Sequence, residues 1–175
     1  MRHLFQILDS YPSRVYALMA LTCIGLLAFG LYLQHIVGLE PCPMCIVQRY
    51  VFVLVALSAV AAAALPSRRA GVVLGGVILI LACAGAFVAA RQSWLQWYPP
   101  EVFTCGRDLY GMIEAFPLQR VVPMVFKGSG DCSAVDWTFL GGSIANWSFV
   151  CFCACGVGAA LLAWRQRRLA PPVQD

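Results

Sequence analysis

The chain has 175 residues, of which 61% are hydrophobic and 11% are charged, and its formal net charge is +4. Soluble domains carry about 25% charged residues, so this composition excludes an ordinary soluble enzyme and indicates an integral membrane protein. We predict one membrane domain over residues 1–175, because nothing in the sequence marks a second domain.

Four apolar runs predict four transmembrane helices, in chain order at residues 15–33, 46–65, 70–90 and 144–164. A helix needs about 20 apolar residues to cross the hydrocarbon core. Each run is continuous rather than alternating, which favours helices over the strands of a barrel. The first run lacks a small-residue cleavage site, so we interpret it as a retained span. The predicted fold is an all-α integral membrane four-helix bundle.

The basic residues predict how this bundle is oriented. Seven of the twelve lie before the first span, between the second and third spans, or after the fourth. Because basic residues concentrate in cytoplasmic segments, we expect both termini in the cytoplasm. A short loop (34–45) and a long loop (91–143) then lie on the outer side. The net charge is a topology signal and gives no reason to expect nucleic-acid binding.

Five of the nine cysteines lie within the predicted spans, namely Cys23, Cys83, Cys151, Cys153 and Cys155. Cysteine packs as a small hydrophobe in apolar surroundings, where its thiol stays protonated and inert. The stretch "CFCAC" resembles a metal motif, but on a helix Cys153 faces away from the other two. We therefore interpret all five as packing residues.

The other four cysteines lie in the outer loops or at the outer membrane face, where disulfides persist in an oxidising compartment. They are Cys42, Cys45, Cys105 and Cys132. Three interpretations compete: two structural bridges, a zinc site and a redox centre. Zinc sites of four cysteines usually come as two close pairs, and the separation of Cys105 from Cys132 disfavours one.

The spacing of Cys42 and Cys45 favours redox chemistry. A C-x-x-C disulfide closes a very small ring and adds little loop-closure entropy, whereas in exchange one thiolate attacks while its neighbour resolves. We expect both cysteines to open a helix, with Pro43 in its first turn.

Arg49 follows Cys45 by one helical turn and lies at the edge of the hydrocarbon core. A charge at this depth indicates a functional site, although a side chain that reaches lipid phosphate is the alternative. We interpret Arg49 as a cation that stabilises a thiolate at Cys45 and the oxygen of an electron acceptor. A lipid-soluble quinone is the obvious acceptor at a membrane surface.

Three motifs in this order resemble the bacterial disulfide bond formation protein B (DsbB) family. They are "PCPMCIVQR" at 41–49, "WLQWYP" at 94–99 with "FTC" ending at Cys105, and "PLQRVVPMVFKGSGDCSAVDWTFLG" at 117–141. The resemblance covers nearly the whole chain and includes the four-span layout. It implies a membrane disulfide oxidoreductase that uses ubiquinone or menaquinone and reoxidises a periplasmic thioredoxin-like oxidase of the DsbA type. The two outer loops would then be periplasmic, in a bacterial inner membrane.

The resemblance also implies a role for each outer cysteine. Cys105 is expected to form the mixed disulfide with the partner, and Cys132 to resolve it. Cys42 would then face this loop pair, and Cys45 would face the quinone. Arg49 would be the cation on the quinone side.

One position departs from the family, because some members have a histidine where this chain has Gln92. Glutamine can hydrogen-bond a quinone carbonyl but does not titrate near neutral pH. Arg91 is therefore a candidate to supply a positive charge near the quinone in place of the histidine. Gln96 is a candidate for a second polar residue that lines a quinone site. The alternative is that both glutamines are ordinary polar residues at the membrane–water interface, with no ligand. An interfacial aromatic belt is predicted at Trp94, Trp97 and Tyr98.

The long loop is predicted to contact membrane lipid through a short amphipathic helix within residues 112–126, followed by a mobile arm at 128–130. Two rival functions remain open. A tetraspan scaffold would hold two structural disulfides. An enzyme of the vitamin-K-epoxide-reductase type also pairs four helices with cysteine pairs, but its membrane C-x-x-C lies after the loop pair.

Overall fold

The computed structural model describes residues 11–65, 67–99 and 132–168. Its elements are α1 (Pro12–His35), α2 (Pro43–Ala64), α3 (Arg68–Trp97), β1 (Thr138–Phe139), β2 (Gly142–Ser143) and α4 (Ile144–Arg168). All four helices are long and apolar enough to cross a membrane. The predicted four-helix membrane fold is thereby confirmed.

The third helix is longer at its C-terminal end than the apolar run that predicted it. It has 30 residues and continues to Trp97, so Arg91, Gln92 and Gln96 lie on a helix and not in a loop. The apolar run stops at Arg91, but arginine and glutamine are good helix formers and the backbone hydrogen bonds continue through them. Two extra turns of α3 therefore carry polar side chains to the end of the bundle where α2 begins.

The core of the bundle contains a close contact between α2, α3 and α4. Phe52 on α2 stacks on Phe152 on α4, with ring centroids 4.0 Å apart. On α3, a Cβ atom at Gly85 would lie 2.6 Å from the Phe152 ring. Small residues at helix interfaces let transmembrane helices approach closely, and Gly85 makes room here for the stacked rings.

A short hairpin precedes α4 within the region predicted as a loop. Thr138 pairs with Ser143, and Phe139 with Gly142, in antiparallel register. The two turn residues, Leu140 and Gly141, both have positive φ, at 49° and 81°, as a tight primed hairpin turn requires. The indole nitrogen of Trp147 donates to the Phe139 carbonyl oxygen at 2.9 Å. This bond ties the hairpin to the first turn of α4.

Candidate active site

The C-x-x-C motif forms the N-terminus of α2, as predicted. Cys42 is the N-cap residue, with an extended backbone (φ −75°, ψ 159°), and Pro43 occupies the first turn. The backbone N–H of Cys45 donates to Cys42 Sγ at 3.2 Å. The first N–H groups of a helix have no partner within the helix, so the Cys42 sulfur satisfies one of them.

The two sulfur atoms of the motif face each other. Cys42 Sγ donates to Cys45 Sγ at a distance of 2.8 Å. Cys132, which is fully buried, packs against Cys42 in a small cluster with Met44 and Leu95. Cys42 therefore contacts a thiol on each side, one from its own helix and one from the segment before the hairpin.

These contacts change the acidity of Cys42. Its hydrogen bonds with Cys132 and Cys45, together with burial, raise the pKa of the Cys42 thiol well above its usual range. A group that is buried and hydrogen-bonded in its neutral form resists ionisation. Cys42 is thus held as a thiol in contact with Cys132.

Gln92 contacts both sulfur atoms of the motif. Its Nε2 donates to Cys45 Sγ at 3.1 Å and to Cys42 Sγ at 3.3 Å. The sequence predicts that Gln92 bonds a quinone carbonyl, whereas here its amide nitrogen donates to the two cysteines. A hydrogen-bond donor aimed at sulfur stabilises negative charge on that sulfur, so Gln92 is placed to stabilise a thiolate at this motif.

Gln48 is a site residue that sequence reasoning missed. Its Nε2 donates to Gln92 Oε1 at 2.7 Å, and both side chains are buried. A signal was available, because Gln48 lies three residues after Cys45 and therefore on the same face of α2. An uncharged polar residue in an otherwise apolar helix needs a buried partner, and that partner lies on α3.

Arg49 directs its guanidinium toward α1. Its Nη1 donates to Gln34 Oε1, and its Nη2 donates to the Gly30 carbonyl oxygen at 3.1 Å. Sequence reasoning placed this cation against the Cys45 sulfur, whereas the donors that face that sulfur belong to Cys42 and Gln92. Arg49 and Cys45 nevertheless line the same cavity, so the charge lies within the site.

The cavity has a volume of about 600 Å³ and lies at the end of the bundle where α2 begins. Its wall is mostly apolar, with leucines from α1, Phe52 from α2, and aromatic side chains from the hairpin region. Polar groups enter this wall from glutamines and one arginine, and also from two acids and two serines, namely Gln34, Gln48, Arg49, Gln92, Gln96, Glu40, Asp136, Ser143 and Ser148. An apolar pocket with a few convergent polar groups is the usual form of a small-molecule site.

The remaining predicted residues of α3 separate into two groups. Gln96 lines the cavity, where its Oε1 accepts from Ser143 Oγ at 2.6 Å and its Nε2 donates to the Ala134 carbonyl oxygen at 3.4 Å. It therefore connects α3 to the hairpin. Arg91 is exposed and does not line the cavity, because it precedes the buried Gln92 by about 100° of helical rotation.

Other predictions concern residues near this site. The aromatic side chains of Trp94, Trp97 and Tyr98 are exposed on α3, as an interfacial belt requires. Cys105, the predicted mixed-disulfide residue, lies outside the described residues, as do the segments at 112–126 and 128–130.

Comparison with known proteins identifies the family. The family model described as "Disulfide bond formation protein DsbB" matches residues 12–162. A protein named "Disulfide bond formation protein B" from Polaromonas naphthalenivorans (strain CJ2) is 68% identical over 158 residues, which cover 90% of this chain and 94% of the relative. A protein of the same name from Albidiferax ferrireducens is 65% identical over 161 residues, which cover 91% of each chain.

The matched region contains all of the described site residues, including both cysteines of the motif, Gln48, Gln92 and Cys132. It also spans the four membrane-crossing helices nearly to the end of α4. The redox interpretation of the C-x-x-C motif agrees with a role in disulfide formation. This chain belongs to the disulfide bond formation protein B family.

Proposed function

We propose that this chain is a membrane thiol:quinone oxidoreductase that reoxidises a periplasmic dithiol oxidase of the DsbA type. Two electrons and two protons leave the partner dithiol, which becomes a disulfide, and reduce a bound quinone to a quinol. The chain's cysteine pairs carry the electrons by thiol–disulfide exchange. Family membership supports the disulfide-forming role, and the site geometry supports the path proposed here.

The observation that carries the proposal is the position of the Cys42–Cys45 pair between a third cysteine and a cavity. Cys42 contacts Cys132 on one side, while Cys45 lines the apolar cavity on the other. Exchange between cysteine pairs requires direct sulfur contact through a mixed disulfide. An arrangement of three thiols that ends at an apolar pocket supports a path from a loop cysteine to a lipid-soluble acceptor.

The residues of the cavity fit a quinone. Pockets for small ligands have volumes of about 300–1,000 Å³, and the 600 Å³ here falls in that range. Trp137 and Trp147 provide flat apolar surfaces for a ring, and Arg49 and Gln96 provide donors for its oxygens. When bound, the quinone supplies a two-electron acceptor, and ubiquinone and menaquinone both have this chemistry.

The residues of the chain hold the thiols for this reaction. The Cys42 thiol is kept protonated against Cys132, and the Cys45 sulfur accepts hydrogen bonds from Cys42 and Gln92. Cys42 is buried and Cys45 is half-buried, so the pair has little exposure to solvent. On the proposed path, Cys105 receives the partner and Cys132 passes the electrons to Cys42.

The placement of charge supports an orientation with both termini in the cytoplasm of a bacterial inner membrane. Arg68 and Arg69 begin α3, and the basic residues of the last turn of α4 lie at the same end of the bundle as that link. The C-x-x-C motif is at the opposite end. With the basic ends inside, the thiol site faces the periplasm, where disulfides persist.

Quinone reduction by the purified protein tests this function. We would supply a reduced DsbA-type partner and a soluble ubiquinone or menaquinone analogue, and follow the quinone absorbance. Wild type should turn over and Cys45→Ser should not, while Cys83→Ser, which changes an exposed cysteine of α3, should retain activity. Wild type that reduces no quinone with any such partner would contradict the proposal and favour a scaffold with structural disulfides.

A further inference from the structure

Two buried carboxamides lie in series beside the redox pair: Gln92 bonds both sulfurs, and Gln48 bonds Gln92. Gln48 and Gln92 are each only 3% exposed. They lie on different helices, α2 and α3, and meet beside the sulfurs. We propose that Gln48 is a positioning residue that sets the redox equilibrium of the Cys42–Cys45 pair by orienting Gln92.

This inference rests on the redox role of the pair, which is part of the proposed function. It does not depend on the identity of the quinone or of the partner. The equilibrium between the Cys42–Cys45 dithiol and its disulfide can be measured with neither present.

The hydrogen bond between the two glutamines determines which end of Gln92 faces the sulfurs. Gln48 Nε2 donates to Gln92 Oε1 at 2.7 Å. With its oxygen engaged, Gln92 presents Nε2 to the cysteines, at 3.1 Å from Cys45 Sγ and 3.3 Å from Cys42 Sγ. The two sulfurs are only 2.8 Å apart, too close together for the two diverging N–H bonds to reach one each, so one N–H is shared between them.

An oriented carboxamide favours the reduced pair. A sulfur that carries negative charge accepts a hydrogen bond better than a disulfide sulfur does, because bonds to charged acceptors are stronger. Donors that stabilise the reduced form make the disulfide a stronger oxidant. Because the amide does not titrate, it remains a donor at every physiological pH, whereas a histidine donor changes with its protonation.

The test measures the redox equilibrium of the full chain in detergent. The protein is equilibrated anaerobically, after lipid removal, with dithiothreitol or glutathione redox buffers and then alkylated. Mass spectrometry of the Cys42–Cys45 peptide gives the oxidised fraction. The reaction is the two-electron, two-proton reduction of one disulfide to two thiols, with the buffer as the reductant.

Removal of the donor should shift this equilibrium toward the disulfide. We expect Gln92→Leu to shift it about tenfold, which corresponds to a reduction potential lower by about 30 mV. Gln48→Leu should shift it in the same direction by a smaller factor. In the Gln92→Leu background, Gln48→Leu should add nothing, because its effect passes through Gln92.

The isosteric variant Gln48→Glu separates orientation from packing. An ionised carboxylate only accepts hydrogen bonds, so it would draw a Gln92 N–H away from the sulfurs. We expect its equilibrium to match that of Gln48→Leu at neutral pH. When acid protonates the carboxyl group, its O–H can donate again, and the equilibrium should return toward wild type.

Gln166→Leu is the matched control, since it changes a glutamine of α4 whose Oε1 is buried outside the cavity. It should leave the equilibrium unchanged. The inference would be overturned if Gln48→Leu lowered the melting temperature without moving the equilibrium, or if the two leucine substitutions had additive effects. Either result leaves the proposed function intact, whereas a pair that resists every reductant would contradict both.

Discussion

Two groups of three cysteines lie in the same bundle, and their surroundings differ. The outer group consists of Cys42, Cys45 and Cys132, and the core group consists of Cys23, Cys151 and Cys155. Both groups are largely buried, and both contain thiols that hydrogen-bond one another, Cys42 with Cys45 and Cys23 with Cys155. Burial and thiol contact therefore do not distinguish them.

The difference lies in the polar groups around the sulfurs. The outer pair is at a helix N-terminus, with a backbone N–H and the Gln92 amide as donors. The core group lies within the middle of helices, where backbone N–H groups are already bonded, and Cys23 packs among apolar side chains. Cys151 reaches the cavity wall, but Cys23 and Cys155 do not line it. We therefore expect donors and cavity access, rather than clustering, to make a thiol group reactive.

The strongest test of this comparison removes one cysteine from each group. Cys42→Ala should lower quinone-coupled oxidation of the partner by at least about a hundredfold, because it removes a group that takes part in bond exchange. Cys155→Ala should retain turnover, since Cys155 bonds Cys23 within the core and does not line the cavity. Equal losses in the two variants, measured at matched protein levels, would show that the core thiols also carry electrons.

A smaller effect is expected from the acidity of Cys42. Contact with Cys132 raises the Cys42 pKa, so Cys132→Ala should lower it and increase the thiolate fraction at pH 8. Each pKa unit lost adds about tenfold to that fraction. The pH profile of Cys42 alkylation in the reduced protein, read by mass spectrometry, checks this, and an unchanged profile would mean that Cys132 does not hold the thiol.

The same contact affects stability in a defined direction. Because its pKa is raised, the folded protein binds the Cys42 proton more tightly than the unfolded chain does. The resulting stabilisation is fully present below the ordinary thiol pKa of about 8.5, and it is lost as the pH rises above that value.

The smallest effect on redox chemistry should come from the helix packing beneath the site. Gly85→Ala places a methyl group against Phe152 and should lower the free energy of unfolding by about 1–3 kcal/mol. Gly76→Ala on the same helix meets nothing within 4 Å, so it should not destabilise. Thermal unfolding in detergent compares the two. We expect the redox equilibrium to depend on the groups that contact the sulfurs and not on packing elsewhere. If Gly85→Ala altered this equilibrium as strongly as Gln92→Leu, that expectation would be contradicted.

The sequence predicted the parts of the structure that depend on local chemistry. Apolar runs identified all four helices, and the proline after Cys42 indicated the helix start. The end of α3 was placed too early because a hydropathy run stops at the first charge, whereas helical hydrogen bonding does not. The turn at Leu140 and Gly141 was missed, although Gly141 is the residue type that its positive φ favours.

The contacts of the site depend on which helices are neighbours, and this information is not local. Gln92 was recognised as a polar lining residue, but the sequence does not show whether an amide faces a ligand or a sulfur. Gln48 is paired with a residue 44 positions away, and only the packing of α2 on α3 brings them together. Arg49 similarly bonds groups on α1 that no spacing rule connects to it.

The sulfur that caps α2 is also an atom that the redox reaction changes. A helix cap contributes about 1 kcal/mol to helix stability, and a thiolate, a thiol and a disulfide sulfur differ as acceptors. By thermodynamic linkage, if the cap stabilises the helix more in the reduced state than in the oxidised state, the same free-energy difference favours reduction of the pair. In the proposed function, the first turn of this membrane helix is therefore part of the redox site, and its local unfolding should respond to the oxidation state of the protein.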